Sequence, residues 1–188
     1  MVPSRVALHM PIDPKGWEYI EFSATVPAEM RQAAEALFFF NPRQGDSINR
    51  ILATVEQTGT PAIMEGKGRV WIGVPSGNMQ CLFAVDRRLE PQRPAGVLLY
   101  GRPAPDVIWI SHLAVDPVYT YGNRNRGGGL GCVLVEKVRE IARSIKGVSR
   151  IQLPYRRNCF LQVRVPEHPP ATGRTAVGNA MPNKTRTG

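Results

Sequence analysis

The sequence predicts an α+β fold: a mixed, mostly antiparallel central sheet flanked by helices, with an atypical or truncated C-terminal part. Three observations carry this. An alternating segment near the start is followed by two helical stretches. Several short apolar runs in the middle are separated by proline, glycine and asparagine turns, as in a meander. A β-branched strand then leads through a glycine turn into a regular amphipathic helix and a further strand, a β-loop-α-β unit.

In chain order, residues 1–16 hold three prolines and read as an irregular lead-in. Residues 17–25 alternate in polarity and predict a first strand. Pro27 is placed to open a helix running through Phe38, closed by Asn41-Pro42. Asp46 or Ser47 can cap a second helix carrying Ile48, Ile51, Leu52 and Val55, stopped by Gly59 and Pro61. Strands are expected over 69–74, 80–86 and 96–101, with turns at 75–78, 91–94 and 103–105. Of the adjacent Phe38, Phe39 and Phe40, core filling is the expectation, with cleft lining the alternative.

Val107 to Val115 is β-branched, aromatic and apolar, and Asp116-Pro117 ends it. From Leu130 the apolar positions 130, 133, 134, 138, 141 and 145 fall on one helical stripe, and Gly147 supplies a stop. A helix start leaves backbone N–H groups without partners and carries partial positive charge. Gly127, Gly128, Gly129 and Gly131 would let a phosphate approach those groups, and Arg124 and Arg126 add full charge beside them. The chemistry predicted is pyrophosphate binding.

Two nucleotide templates fail on named residues. A dinucleotide turn counted from Gly127 would need glycine at Cys132, and counted from Gly129 would need it at Leu134; the strand that follows, 149–155, ends in Arg156-Arg157, with no carboxylate for a ribose. A P-loop would need Lys and Ser/Thr after Gly131, where Cys132 and Val133 stand. The stretch Arg126-Gly127-Gly128-Gly129-Leu130-Gly131, preceded by Leu113-Ala114-Val115-Asp116-Pro117, instead resembles the acetyl-CoA motif and fourth-strand ending of the GNAT superfamily of N-acetyltransferases. The resemblance is specific over about residues 95–158. It implies that Leu113, Ala114 and Val115 pair with the pantetheine arm of acetyl-CoA. It further implies that Arg124 and the turn from Arg126 through Gly127, Gly128, Gly129, Leu130 and Gly131 hold the pyrophosphate. The strand at 107–115 should then splay from the strand at 149–155 to leave a cleft. The two early helices would form one wall of the acceptor site.

The chain departs from the family twice. Eight residues, Val118 to Asn125, separate Pro117 from Arg126, more than the family usually has. After Ile151-Gln152-Leu153, Asn158 matches a family asparagine. The last two strands and the tyrosine that often protonates the leaving thiolate have no evident counterpart. No catalytic residue is therefore named. His112 is a candidate base that strand parity would point with Ile110 and Ala114, unless a bulge changes the count. Ser111 could order a water, Tyr119 and Tyr121 lie in the loop, and Cys132 reads as core.

Length and a hydrophobic content of 43% fit one domain, expected over residues 1–165, with a basic tail of disordered composition over 166–188. Cys81, Cys132 and Cys159 lack metal-ligand spacing and read as reduced thiols, and no run is long and apolar enough to span a membrane, so a cytoplasmic protein is expected. Of the net charge of +9, residues 143–188 contribute nine Lys/Arg against Glu167 alone, so the basic character belongs to the C-terminal quarter. That quarter has no aromatic after Phe160 for stacking on bases, which disfavours nucleic acid. The leading expectation is an N-acetyltransferase taking acetyl-CoA and an unidentified amine. The alternatives are a non-catalytic acyl-CoA-binding module or a nucleic-acid-associated protein. An open C-terminal sheet edge would invite a homodimer.

Overall fold

The computed structural model describes residues 16–41, 45, 48–75, 77–120, 129–153 and 160–163. Six strands, β1 (Ile20–Ser23), β5 (Met79–Asp86), β6 (Pro94–Ala104), β7 (Val107–Val115), β8 (Arg150–Gln152) and β9 (Phe160–Gln162), form the main sheet in that order. Every neighbouring pair is antiparallel except β7 and β8. A second sheet has the order β2 (Val26–Pro27), β4 (Arg69–Gly73), β3 (Ala62–Gly66). The helices are α1 (Arg31–Phe39), α2 (Ile48–Thr58) and α3 (Leu130–Ser144).

The main sheet divides the core in two. On one face α3 packs Leu130, Leu134, Val138 and Ala142 onto Leu98, Ile108, Ile110 and Ile151. On the other, α1 and the small sheet bury Leu37, Phe38, Val70 and Ile72 against Phe83, Val97, Leu99 and Ala114. Gly96 lets α3 sit close to β6: a Cβ there would lie 2.8 Å from Leu134 Cδ1 and 3.1 Å from Leu130 Cδ2. A side chain at that position would force Leu134 and Leu130 to shift.

Most expected elements appear near their expected bounds, and four differences have physical causes. The helix expected from Pro27 begins as a 3₁₀ turn, Ala28–Met30, before α1. The first strand breaks after Ser23, and its continuation joins the small sheet. Strand β3 was not anticipated because Ala62, Met64 and Glu65 are exposed at a sheet edge and leave no clean alternation. Its hairpin to β4 turns on Lys67 and Gly68, both at positive φ (54° and 68°), the geometry a two-residue primed turn requires. Finally, the expected loss of both C-terminal strands is corrected in part: β9 pairs with β8, and Val163 beyond it is fully buried. The edge of β8 is thus covered within the chain. The tail expected over 166–188, the cap at Asp46 or Ser47, Tyr121 and Asn158 lie outside the described residues.

Phe38 is buried, Phe39 half-buried and Phe40 78% exposed, so the aromatic trio is core filling only at its start.

Candidate functional site

Strand β7 lies at the centre of the sequence-predicted site, and its register decides which groups it offers. Along β6 the partners run Gly96↔Val115, Val97↔Ala114, Leu98↔Leu113, Leu99↔His112 and then Tyr100↔Ile110, so Ser111 is the extra residue of a β-bulge. The bulge overturns the simple parity. Ile110, Leu113 and Val115 face α3, whereas His112 and Ala114 face α1. His112 and Ile110 were expected on one face and lie on opposite ones.

The register also sorts the backbone groups. The Asp116 N–H donates to the Ala95 carbonyl at 2.9 Å, so hydrogen-bonded pairs alternate back from there through Ala114 and Val97. The N–H and C=O of Ala114 are therefore directed at β6, and those of Leu113 and Val115 away from it. On that outer side β8 runs parallel to β7 only along Val107, Ile108 and Trp109, and no other described strand continues the pairing. The two strands share one sheet and part company at Trp109, leaving an open edge from Ile110 onward among the described residues.

The start of α3 lies over this same end of β7. A Cβ on Gly131 would be in ordinary contact with Leu113 Cδ2 (3.4 Å) and Val115 Cγ2 (3.8 Å), and Leu130 is fully buried. Gly129 is the N-cap residue and supplies no side-chain cap, and the first turn holds no acidic residue to neutralise its partial positive charge. The structure thus brings Leu113, Ala114, Val115, Gly129, Leu130 and Gly131 together. Arg124, Arg126, Gly127 and Gly128 lie outside the described residues.

Of the side chains considered for proton transfer, Ser111, His112 and Tyr119 are engaged elsewhere. The Ser111 hydroxyl is buried and donates to the Leu99 carbonyl at 3.2 Å. His112 is 7% exposed, stacks edge-on against Phe38 (4.6 Å between centroids) and bonds to the Phe38 backbone. That bond favours the charged ring, so the backbone partner is the carbonyl. Burial outweighs it and lowers the pKa to about 4. Tyr119 is buried and donates its hydroxyl to Asp86 Oδ2 at 2.7 Å, with burial and then that carboxylate raising its pKa to about 12. Cys132 is a half-buried thiol, outside any disulfide, in the first turn of α3.

Sequence reasoning missed the group that anchors Tyr119. Asp86 closes β5 with no exposed surface, and Arg88 grips it through Nε (3.0 Å) and Nη2 (2.7 Å). The guanidinium, with the Tyr119 bond assisting, holds this carboxyl well below the usual carboxylate range although burial opposes it. Arg88 in turn lies 3.3 Å above the Tyr19 ring. The turn Pro117–Tyr119, capped by Asp116 accepting from the Val118 N–H (2.9 Å), is so pinned to β5 where the chain leaves β7. No periodicity or motif announces such a contact; its only sequence trace is an acidic residue closing an apolar strand.

Among the described residues no cluster of His, Cys, Asp and Glu has the form of a metal site, and no helix is long and apolar enough to cross a membrane. No family model and no curated protein matches the chain. Among solved structures, a proposed acetyltransferase of the GNAT family from Desulfovibrio desulfuricans is similar at 19% identity over 70% of each chain, with a TM-score of 0.37.

Proposed function

We propose that this chain is an acetyl-CoA-dependent N-acetyltransferase that passes the acetyl group to an amine of a small molecule or protein. The observation that carries the reading is the open edge of β7 lying directly under the uncapped start of α3. An extended chain with amides, such as the pantetheine arm, can pair with the outward groups of Leu113 and the N–H of Val115 as an added strand would. A pyrophosphate at its far end can accept from the N–H groups at Gly129, Leu130 and Gly131, with Gly127, Gly128, Arg124 and Arg126 completing the cradle by sequence. Ala114, expected to pair with the arm, does not: its backbone groups are spent on β6 and its side chain is buried against α1.

Acetyl-CoA supplies an activated carbonyl: the amine nitrogen bonds to the carbonyl carbon, the carbon–sulfur bond breaks, and the nitrogen loses a proton as the thiol leaves. The protein's part is then mainly alignment. With His112 neutral and bonded to α1, the amine would enter uncharged, and the proton it loses on attack would pass through water to the departing sulfur. The engagement of Ser111, His112 and Tyr119 in structural bonds favours a second reading, an acyl-CoA-binding module without transfer.

Two measurements decide. Each N–H bond to a charged phosphate is worth about 1.5–3 kcal/mol, so Gly129→Asp, which brings bulk and like charge to the turn, should weaken acetyl-CoA binding in calorimetry by at least about tenfold. Unchanged affinity removes the site from this turn. Thiol release with acetyl-CoA and a panel of amines separates transfer from binding alone.

A further inference from the structure

The open edge of β7 is not wholly open, and what closes its end comes from α1. Asn41, just past that helix, is 8% exposed and sends its amide nitrogen Nδ2 to the Val115 carbonyl at 3.0 Å. A carbonyl can only accept, so the amide nitrogen is the atom facing it. This carbonyl belongs to the outer side: in a planar trans peptide it points opposite to the Asp116 N–H, which is directed at Ala95 on β6. Asn41 therefore bonds the last carbonyl on the edge to which a ligand strand would pair. The outward groups of Leu113 and the Val115 N–H come before it.

We propose that Asn41 is a positioning residue that sets the register of the pantetheine arm on β7. The inference rests on the reading that this edge holds acetyl-CoA. A two-residue repeat lets an extended ligand pair in more than one register, and an edge with every carbonyl available does not choose among them. With the Val115 carbonyl already bonded to Asn41, a ligand amide reaching it would have to share that acceptor. The register that ends at Leu113 and the Val115 N–H is therefore favoured, which sets how far the thioester reaches along the cleft. The same bond ties α1 to the ligand strand, beside the contact that joins Phe38 to His112. Movement of α1 by an acceptor would thereby reach the strand that holds the donor.

Asn41→Asp keeps the shape, removes the donor and sets a carboxylate oxygen against the carbonyl. Asn41→Ala removes the bond without adding charge and serves as the second variant. Affinity would be measured by calorimetry for acetyl-CoA and, by competition, for 3′-phospho-ADP, the portion of the cofactor without the pantetheine arm. Melting temperature is followed in parallel. The expected result is acetyl-CoA binding weakened about tenfold in Asn41→Asp, and in the same direction in Asn41→Ala, with 3′-phospho-ADP within about twofold of wild type. Loss of both affinities in proportion, or acetyl-CoA binding within twofold of wild type in both variants, overturns the proposal. Failure of the wild type to bind acetyl-CoA overturns the functional reading itself and is seen before any variant is made.

Discussion

Helices α2 and α3 are both amphipathic, yet they stand at opposite ends of the packing scale. Five residues of α3 are buried, among them Leu130, Leu134 and Val138, because the helix crosses the centre of the main sheet and Gly96 lets it approach. None of the described side chains of α2 is buried, and Ile48 and Leu52 are 50% and 53% exposed. A stripe of apolar residues states that a helix has a face to cover, not what covers it. Only the helix set over a flat, gap-matched sheet surface gains the full burial. The contrast bears on the proposed function, since the well-packed α3 holds its own start against β7 while α2 contributes little to the core.

The largest effect should come from the packed side. Leu134→Ala opens a cavity where Gly96 has no side chain to fill it and should cost about 3 kcal/mol in denaturant unfolding. A loss below about 1 kcal/mol would mean that α3 is not seated as described.

The opposite face of β7 is tested through pH. His112 is neutral in the folded protein with a pKa near 4 and titrates near its ordinary 6.5 when unfolded. Between those values the unfolded state binds more protons, so its stability contribution is complete above pH 6.5. The contribution is lost as pH falls toward 4, by up to about 3 kcal/mol. Asp86, whose pKa is depressed, adds its own loss below the ordinary carboxylate range. His112→Gln should flatten the stability profile between pH 6.5 and 4; an unaltered slope would show that the ring is not the titrating group.

Tyr119→Phe removes one bond from a buried carboxylate that keeps its arginine, and should cost about 1–2 kcal/mol. Because this contact pins the chain where it leaves β7, acetyl-CoA affinity should fall with it. A melting temperature equal to wild type would show the pin to be dispensable. The smallest effect belongs to α2: Leu52→Ala should change stability by less than about 0.5 kcal/mol. A cost near that of Leu134→Ala would sink the contrast between the helices.

Strand β7 and the start of α3 were legible because their signals are local. A continuous β-branched run bounded by Asp116-Pro117 can hardly be anything but a buried strand, and the stripe from Leu130 has helical period from its first residue. Helix α2 was legible for the same reason, and its weak burial was not. Strand β3 escaped notice because an edge strand with exposed side chains leaves no alternation. The site divides along the same line. Gly129, Leu130 and Gly131 follow from the glycine run at the helix start and Leu113 and Val115 from the family resemblance, whereas the bulge at Ser111 depends on how β6 and β7 fit together and inverts every face assignment beyond it.

By itself, then, the sequence determined where the central strand and its helix begin, and that glycines lie between them, since periodicity and backbone permissiveness act over a few residues. The tertiary structure alone decided that Ala114 turns its backbone to β6, that Tyr119 is locked to Asp86, 33 positions away, and that Asn41 reaches Val115 across 74 positions. Such contacts join residues whose distance in the chain carries no information about their distance in space. They exist because buried polar groups must find partners wherever folding has placed them.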